Sequence, residues 1–142
     1  YNCRFGDPET QPIMLRLRSD FAALCEVALD GRLDEVSTEW DPRPSLGVVR
    51  AAGGYPASYA KGAVISGLPD ETPDTKVFHA GTAESDGAVV TSGGRVLCAC
   101  ALGDSVTEAQ QKAYEVVKKI HWNNVYYRND IGYRAIAREK QL

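Results

Sequence analysis

The side chains best suited to chemistry crowd the opening stretch, Tyr1-Asn2-Cys3-Arg4-Phe5-Gly6-Asp7-Pro8-Glu9-Thr10-Gln11, which holds an amide, a guanidinium and two carboxylates. In an extended segment side chains alternate, so Asn2 and Arg4 would share one face and Tyr1, Cys3 and Phe5 the other. A neutral oxygen ligand two residues from a cation suits a site handling Mg²⁺, phosphate or both, because Mg²⁺ takes few protein oxygens and completes its octahedron with water and phosphates. Arg4 adds a planar, two-pronged donor for carboxylate or phosphate oxygens. Asp7 and Glu9 pull the other way. A helix beginning near Thr10 offers about +0.5 of an elementary charge to an anion, and two carboxylates outweigh it. This turn is therefore expected to receive an amine or support a metal; the alternative is that Asp7 and Glu9 only cap the helix.

The elements that must hold these groups can be read outward from them. A strand over Tyr1 to Phe5 should end at Gly6-Asp7-Pro8, where Pro8 fixes its own φ and disfavours a helical Asp7. Thr10 is the expected N-cap and Pro12 fits a first helical turn. Ile13, Met14, Leu17, Phe21, Leu24, Cys25 and Ala28 then approximate a helical apolar stripe, with Ser19-Asp20 able to divide it and Gly31 able to end it. Met14 and Phe21 are assigned to core packing, the common fate of large apolar residues. From Asp34 to Ser45 the acidic and proline-rich composition predicts a solvated linker with Trp40 as its anchor.

Beyond it, short glycine-punctuated runs predict strands at Leu46 to Ala52, Ala63 to Ile65, Lys76 to Ala80, Ala88 to Thr91 and Arg95 to Leu102, forming an antiparallel sheet. Ser92-Gly93-Gly94 is the expected hairpin turn between the last two. In the last strand Val96, Cys98, Cys100 and Leu102 face one way, which makes the two cysteines small core residues rather than a metal pair. Gly53-Gly54-Tyr55-Pro56 interrupts the first strand with two glycines that would let the backbone approach a ligand. Ser105-Val106-Thr107-Glu108 is a capping box, and Val106, Ala109, Ala113, Val116, Val117 and Ile120 give the helix after it one apolar face to lay on the sheet. His79 and His121 are read as structural, the latter just past that helix's carboxy-terminal end, where a cationic imidazole would suit the helix dipole.

Composition narrows the class. A 142-residue chain with 44% hydrophobic and 25% charged residues can build one ordinary globular core, and a net charge of -3 argues against nucleic acid as partner. No run approaches the ~20 apolar residues of a membrane span. Cys3, Cys25, Cys98 and Cys100 lack zinc-ribbon spacing, so they are expected to be reduced, cytoplasmic thiols.

The run Arg4-Phe5-Gly6-Asp7-Pro8-Glu9-Thr10-Gln11 resembles the signature of the glycinamide ribonucleotide synthetase family of ATP-grasp ligases, and Asn2 resembles the asparagine of their glutamate-any-asparagine metal strand. Ala51 to Pro56 with Tyr59, Lys61-Gly62 and Ile65, then Lys76 to Thr82, Ser92 to Leu97 and Tyr126 to Gly132, are similar to later blocks of the family in the same order. The resemblance implies an α+β fold: residues 1–33 the end of an ATP-grasp domain, 34–44 a linker, and 45–142 a small carboxy-terminal domain with an antiparallel sheet and flanking helices. It implies ligation of glycine to 5-phosphoribosylamine with ATP and Mg²⁺ or Mn²⁺, by a monomer. Asn2 would hold the metal, Arg4 and Asp7 would be catalytic, and Arg4, Asp7, Glu9, Gly54, Tyr55 and Pro56 would bind substrates. The family's glutamate would stand two positions before Asn2, ahead of the first residue, so the amino-terminal remainder of the same enzyme is the expected partner and the chain by itself is expected to be inactive. The alternatives are another ATP-grasp carboxylate-amine ligase or a non-catalytic binding module.

Overall fold

The computed structural model describes residues 3–141. Its elements run α1 (Thr10–Arg16), α2 (Phe21–Leu29), β1 (Ser45–Ala52), β2 (Thr75–His79), β3 (Thr82–Ser85), β4 (Ala88–Thr91), β5 (Arg95–Leu102), α3 (Val106–Lys119), β6 (Val125–Tyr126) and α4 (Tyr133–Glu139). Four strands form one antiparallel sheet in the order β2-β5-β1-β6, while β3 and β4 pair separately. The fold is α+β, as expected.

The central pair β1 and β5 organises the core. Opposed residues in an antiparallel pair share a face, and Leu46↔Ala101, Val48↔Ala99 and Arg50↔Leu97 are opposed. Their apolar members join Ala109, Ala113, Val116, Val117 and Ile120 of α3 in one buried cluster. The other face carries Gly47↔Cys100 and Val49↔Cys98. There α1 packs against β1 and β5, and a Cβ on Gly47 would stand 3.0 Å from both cysteine sulfurs and 3.5 Å from Pro12. The sheet is thus a middle layer between α3 and α1.

Several local readings hold. Asp20 caps α2 by accepting from the N–H groups of Ala22 and Ala23, which divides the helical stretch where Ser19-Asp20 suggested. At its other end Gly31 adopts φ 70 and donates to Ala28, while Arg32 donates to Val27, the paired bonds of a Schellman motif. Ser105 Oγ accepts from Glu108 N at 3.1 Å. Glu108 reaches back one residue further than expected, accepting from Asp104 N at 2.7 Å.

Others are corrected. Cys3 and Arg4 form a bend rather than a strand, and Thr10 is the first helical residue while Glu9 occupies the N-cap position. Neither α1 nor α2 buries a residue completely, and Phe21 is exposed. Ala63 to Ile65 makes one isolated bridge, Val64↔Val90, in place of a strand. Ser92-Gly93-Gly94 carries the chain from one sheet to the other; the tight hairpin is Asp86-Gly87, between β3 and β4, where φ values of 50 and 77 supply the left-handed pair of a two-residue turn. The stretch after Asp34 is not wholly solvated, because Asp41 is buried among arginines.

Candidate functional site

A β-bulge decides what the sheet offers on its α1 side. The register between β1 and β5 shifts after Arg50, so that Ala51 lies opposite Arg95 and Val96 is left over. Without that extra residue Arg95 would share a face with Leu97 and Ala99 and enter the core; with it, the side chain joins the face of Gly47, Val49 and Ala51. Arg95 Nη1 then meets Asp7 Oδ2 at 2.9 Å and donates to the Asp7 carbonyl at 3.1 Å. Its guanidinium also lies 5.7 Å from the centre of the Tyr55 ring. Three separate stretches, the acidic turn, the glycine-tyrosine loop and the start of β5, therefore meet at one side chain.

They line a cleft of about 370 Å³. Gly47, Val49 and Ala51 are its floor, Pro8, Tyr55 and Arg95 one wall, and Tyr126, Tyr127, Arg128 and Ile131 the other. The second wall is held in place by α3: Tyr114 donates from its hydroxyl to the Arg128 carbonyl at 2.6 Å and accepts from Ile131 N, and Gln110 donates to the Ile131 carbonyl at 2.7 Å. Arg128 is clamped by Asp130 through two bonds of 3.0 and 2.9 Å, and the guanidinium holds that carboxyl below its usual range. Arg50, on the opposite face of β1, is buried with its guanidinium 5.2 Å from the Trp122 ring centre and 4.9 Å from that of Tyr127. It donates to the Val117 carbonyl, and burial pushes its pKa down. So a buried cation fixes the tyrosine that walls the cleft.

The expected site residues separate into two places. Tyr55 lines the cleft, and Asp7 adjoins it through its ion pair with Arg95. Arg4 and Glu9 line a neighbouring concavity with Cys3, Phe5 and Ile13, and Arg4 donates only a long 3.4 Å bond to the Phe5 carbonyl. Gly54 and Pro56 are exposed. The tightness of the two glycines serves the chain itself: a Cβ on Gly53 would meet the Asn124 carbonyl at 2.4 Å and one on Gly54 the Ser58 carbonyl at 2.3 Å. Gly94 has the same duty towards Tyr55, whose ring a Cβ there would strike at 2.1 Å. Asn2 lies outside the described residues, and the described residues bring together no group of three or more His, Cys, Asp or Glu able to hold a cation.

Sequence reasoning missed Arg95, Tyr127 and Arg128. Arg95 stood in a recognised block, but its partner lies 88 positions away and its face depends on the bulge. Tyr126 to Gly132 resembles a family block, but its spacing alone assigns it no chemistry.

Residues 45–134 match the family described as phosphoribosylglycinamide synthetase, C domain. The chain belongs to that family. It is 66% identical over 142 residues to a phosphoribosylamine–glycine ligase of Vibrio vulnificus and 65% identical over 141 residues to that of Pseudomonas aeruginosa, covering 99% of this chain and 33% of each relative. The crystal structure of a phosphoribosylamine–glycine ligase from Thermotoga maritima superposes with a TM-score of 0.72 at 38% identity, over 92% of this chain and 32% of that one. The chain thus spans about a third of the length of the relatives it matches. Among the described residues no helix is long and apolar enough to cross a membrane.

Proposed function

We propose that this chain is the carboxy-terminal part of an ATP-dependent ligase that joins glycine to 5-phosphoribosylamine, giving glycinamide ribonucleotide, ADP and phosphate. The observation that carries the reading is 66% identity along 99% of the chain to a protein named for that reaction. The cleft supports it, since Asp7 and Tyr55, from two separate family-like blocks, meet there through Arg95.

The chemical obstacle is the glycine carboxylate, a poor electrophile. Phosphorylation by ATP makes glycyl phosphate, which the phosphoribosylamine nitrogen attacks; catalysis of the first step is positioning and neutralisation of charge. Arg4 is the group proposed to meet the transferring or acyl-phosphate oxygens. Glu9, beside it in the same concavity, would take an amine, and the loop Gly54-Tyr55-Pro56 would bound the substrate space. Within this chain Asn2 is the residue that would hold Mg²⁺ or Mn²⁺, together with the glutamate expected two positions before it. Residues 1–33 would close an ATP-grasp domain and 45–142 form the small domain, with α1 lying across the seam. The amino-terminal remainder of the enzyme is the proposed partner, and exposed Phe5, Phe21, Leu33 and Val36 give it an apolar surface to cover. A cytoplasmic monomer is the proposed setting.

The test is a chimera in which this chain replaces the matching third of the Vibrio vulnificus enzyme. ADP release that needs both glycine and phosphoribosylamine, at a turnover on the order of 1–10³ s⁻¹, is expected. The 142-residue chain alone should release none. A folded chimera without activity would sink the reading.

A further inference from the structure

The cleft presents two arginines, Arg95 and Arg128, over a floor of Gly47, Val49 and Ala51 and beside three tyrosines. Each arginine is held by one carboxylate and keeps N–H groups that no carboxylate takes: Arg95 reaches Asp7 through Nη1, and Arg128 reaches Asp130 through Nε and Nη2. A guanidinium fixed on one edge and open on the other is preorganised for phosphate, whose oxygens match its fork. At about 370 Å³ the cleft is far roomier than an amino acid as small as glycine requires. Tyrosine faces and hydroxyls suit a sugar, which is apolar on one side and rich in hydroxyls on the edge. Asp7 is already engaged with a cation through Oδ2, and that cation offsets the negative charge an amine would meet there.

We infer that Arg95 and Arg128 form the anion-binding pair of a sugar-phosphate subsite, and that Asp7 is a positioning residue that aims Arg95 rather than the receiver of an amine. The inference deepens the ligase reading, on which it rests for the view that the sugar phosphate is a substrate. The bulge at Val96 is the device that makes it possible, since it alone turns Arg95 out of the core and onto the cleft face.

The experiment is a heteronuclear NMR titration of the 142-residue chain with ribose 5-phosphate, inorganic phosphate and glycine in parallel. Ribose 5-phosphate should saturate, with shifts concentrated on residues 47–55, 94–95 and 126–131; inorganic phosphate should bind more weakly at the same place, and glycine should not bind. Arg95→Met and Arg128→Met should each weaken ribose 5-phosphate by about tenfold or more, the scale of one lost charge-assisted hydrogen bond. Arg95→Lys should bind in between, and unchanged amide signals for Val116 and Val117 would show each variant folded. Asp7→Asn should weaken binding less than Arg95→Met and merge the Arg95 Nε–H signal with those of solvent-exposed arginines, a change that loss of a merely structural carboxylate would not produce. Arg95→Met binding as tightly as the unaltered chain, or shifts centred elsewhere, would overturn the subsite. Arg95-dependent binding beside an inactive chimera would leave it standing while the ligase reading fell.

Discussion

Arg4 and Arg50 carry the same charge under opposite conditions. Arg4 is exposed and makes one long bond to a neighbouring carbonyl, so the described fold does not lean on it. Arg4→Ala in the active chimera should therefore leave circular dichroism and melting unchanged. If its charge meets the transferring phosphate it should lower kcat by roughly a hundredfold to a thousandfold, or ~2.7–4 kcal/mol, the cost of removing one preorganised donor. Normal kcat and kcat/KM for all three substrates would make Arg4 a bystander. Arg50 is 1% exposed and has two aromatic faces and the Val117 carbonyl for company instead of a carboxylate. Removing it altogether opens a cavity beneath Trp122 and Tyr127, so Arg50→Ala should cost about 3–5 kcal/mol, in the range of other large-to-alanine core changes. Arg50→Met keeps most of the volume and relieves the burial of a charge, and should cost much less. Urea unfolding of both variants checks the difference: equal losses would mean that the cation–π contacts, rather than the filled volume, hold this corner together.

Asp41 sits at the head of a network that runs from α1 to α3. Its carboxylate accepts from Arg18 at 2.6 Å and from Arg43 at 3.0 Å, its carbonyl accepts from Arg16 at 3.1 and 3.2 Å, and Arg43 continues to Asp74 at 2.8 Å, which meets Lys112 of α3 at 3.3 Å. Arg43 first and Arg18 next hold the Asp41 carboxyl well below the usual carboxylate range. A carboxyl whose folded pKa is depressed contributes stability above its unfolded pKa of about 3.9, and that contribution drains away as pH falls towards the folded value. Asp41→Asn should lower the urea midpoint at neutral pH and flatten its decline below about pH 4; an unchanged slope would show that the acid sensitivity resides elsewhere. This network also marks what the sequence could and could not disclose. Local rules found α3 with its buried face, the split between α1 and α2, and the strands β1, β2, β4 and β5, because caps and periodicity are written within a few residues. They misassigned Asp41 to solvent, since its neutralising arginines come from both sides of the turn. They also took Ser92 to Gly94 for a hairpin, because a glycine-rich turn looks the same whether the next strand pairs back or crosses to another sheet. Arg95 was invisible as a cleft residue for a related reason: a one-residue bulge reverses the face of everything before it, and nothing local announces it.

At the scale of the molecule, burial is uneven. Among the described residues the buried ones all lie between Leu46 and Trp122 apart from Asp41, and none belongs to α1 or α2. Phe5 and Phe21 touch edge to face at 5.7 Å, yet both remain more than two-fifths exposed, at 47% and 42%. α2 is nine residues long, and isolated helices shorter than about 12–15 residues are marginal in water, so its order here depends on the Asp20 cap, the Gly31 end and modest packing. By contrast β5 is hydrogen-bonded on both edges and buried on both faces. Opening free energies should follow this division, because regions with few buried contacts unfold locally while core strands open only with the whole fold. Native-state hydrogen exchange of the chain alone is expected to show fast exchange over α2 and slow, globally limited exchange over β1, β5 and the middle of α3. In the chimera, where the rest of the enzyme is proposed to cover Phe5 and Phe21, α2 should gain protection while β5 stays as it was. If α2 amides in the isolated chain were protected as strongly as those of β5, α2 would be an integral part of this unit. The exposed apolar side chains would then need no partner to account for them.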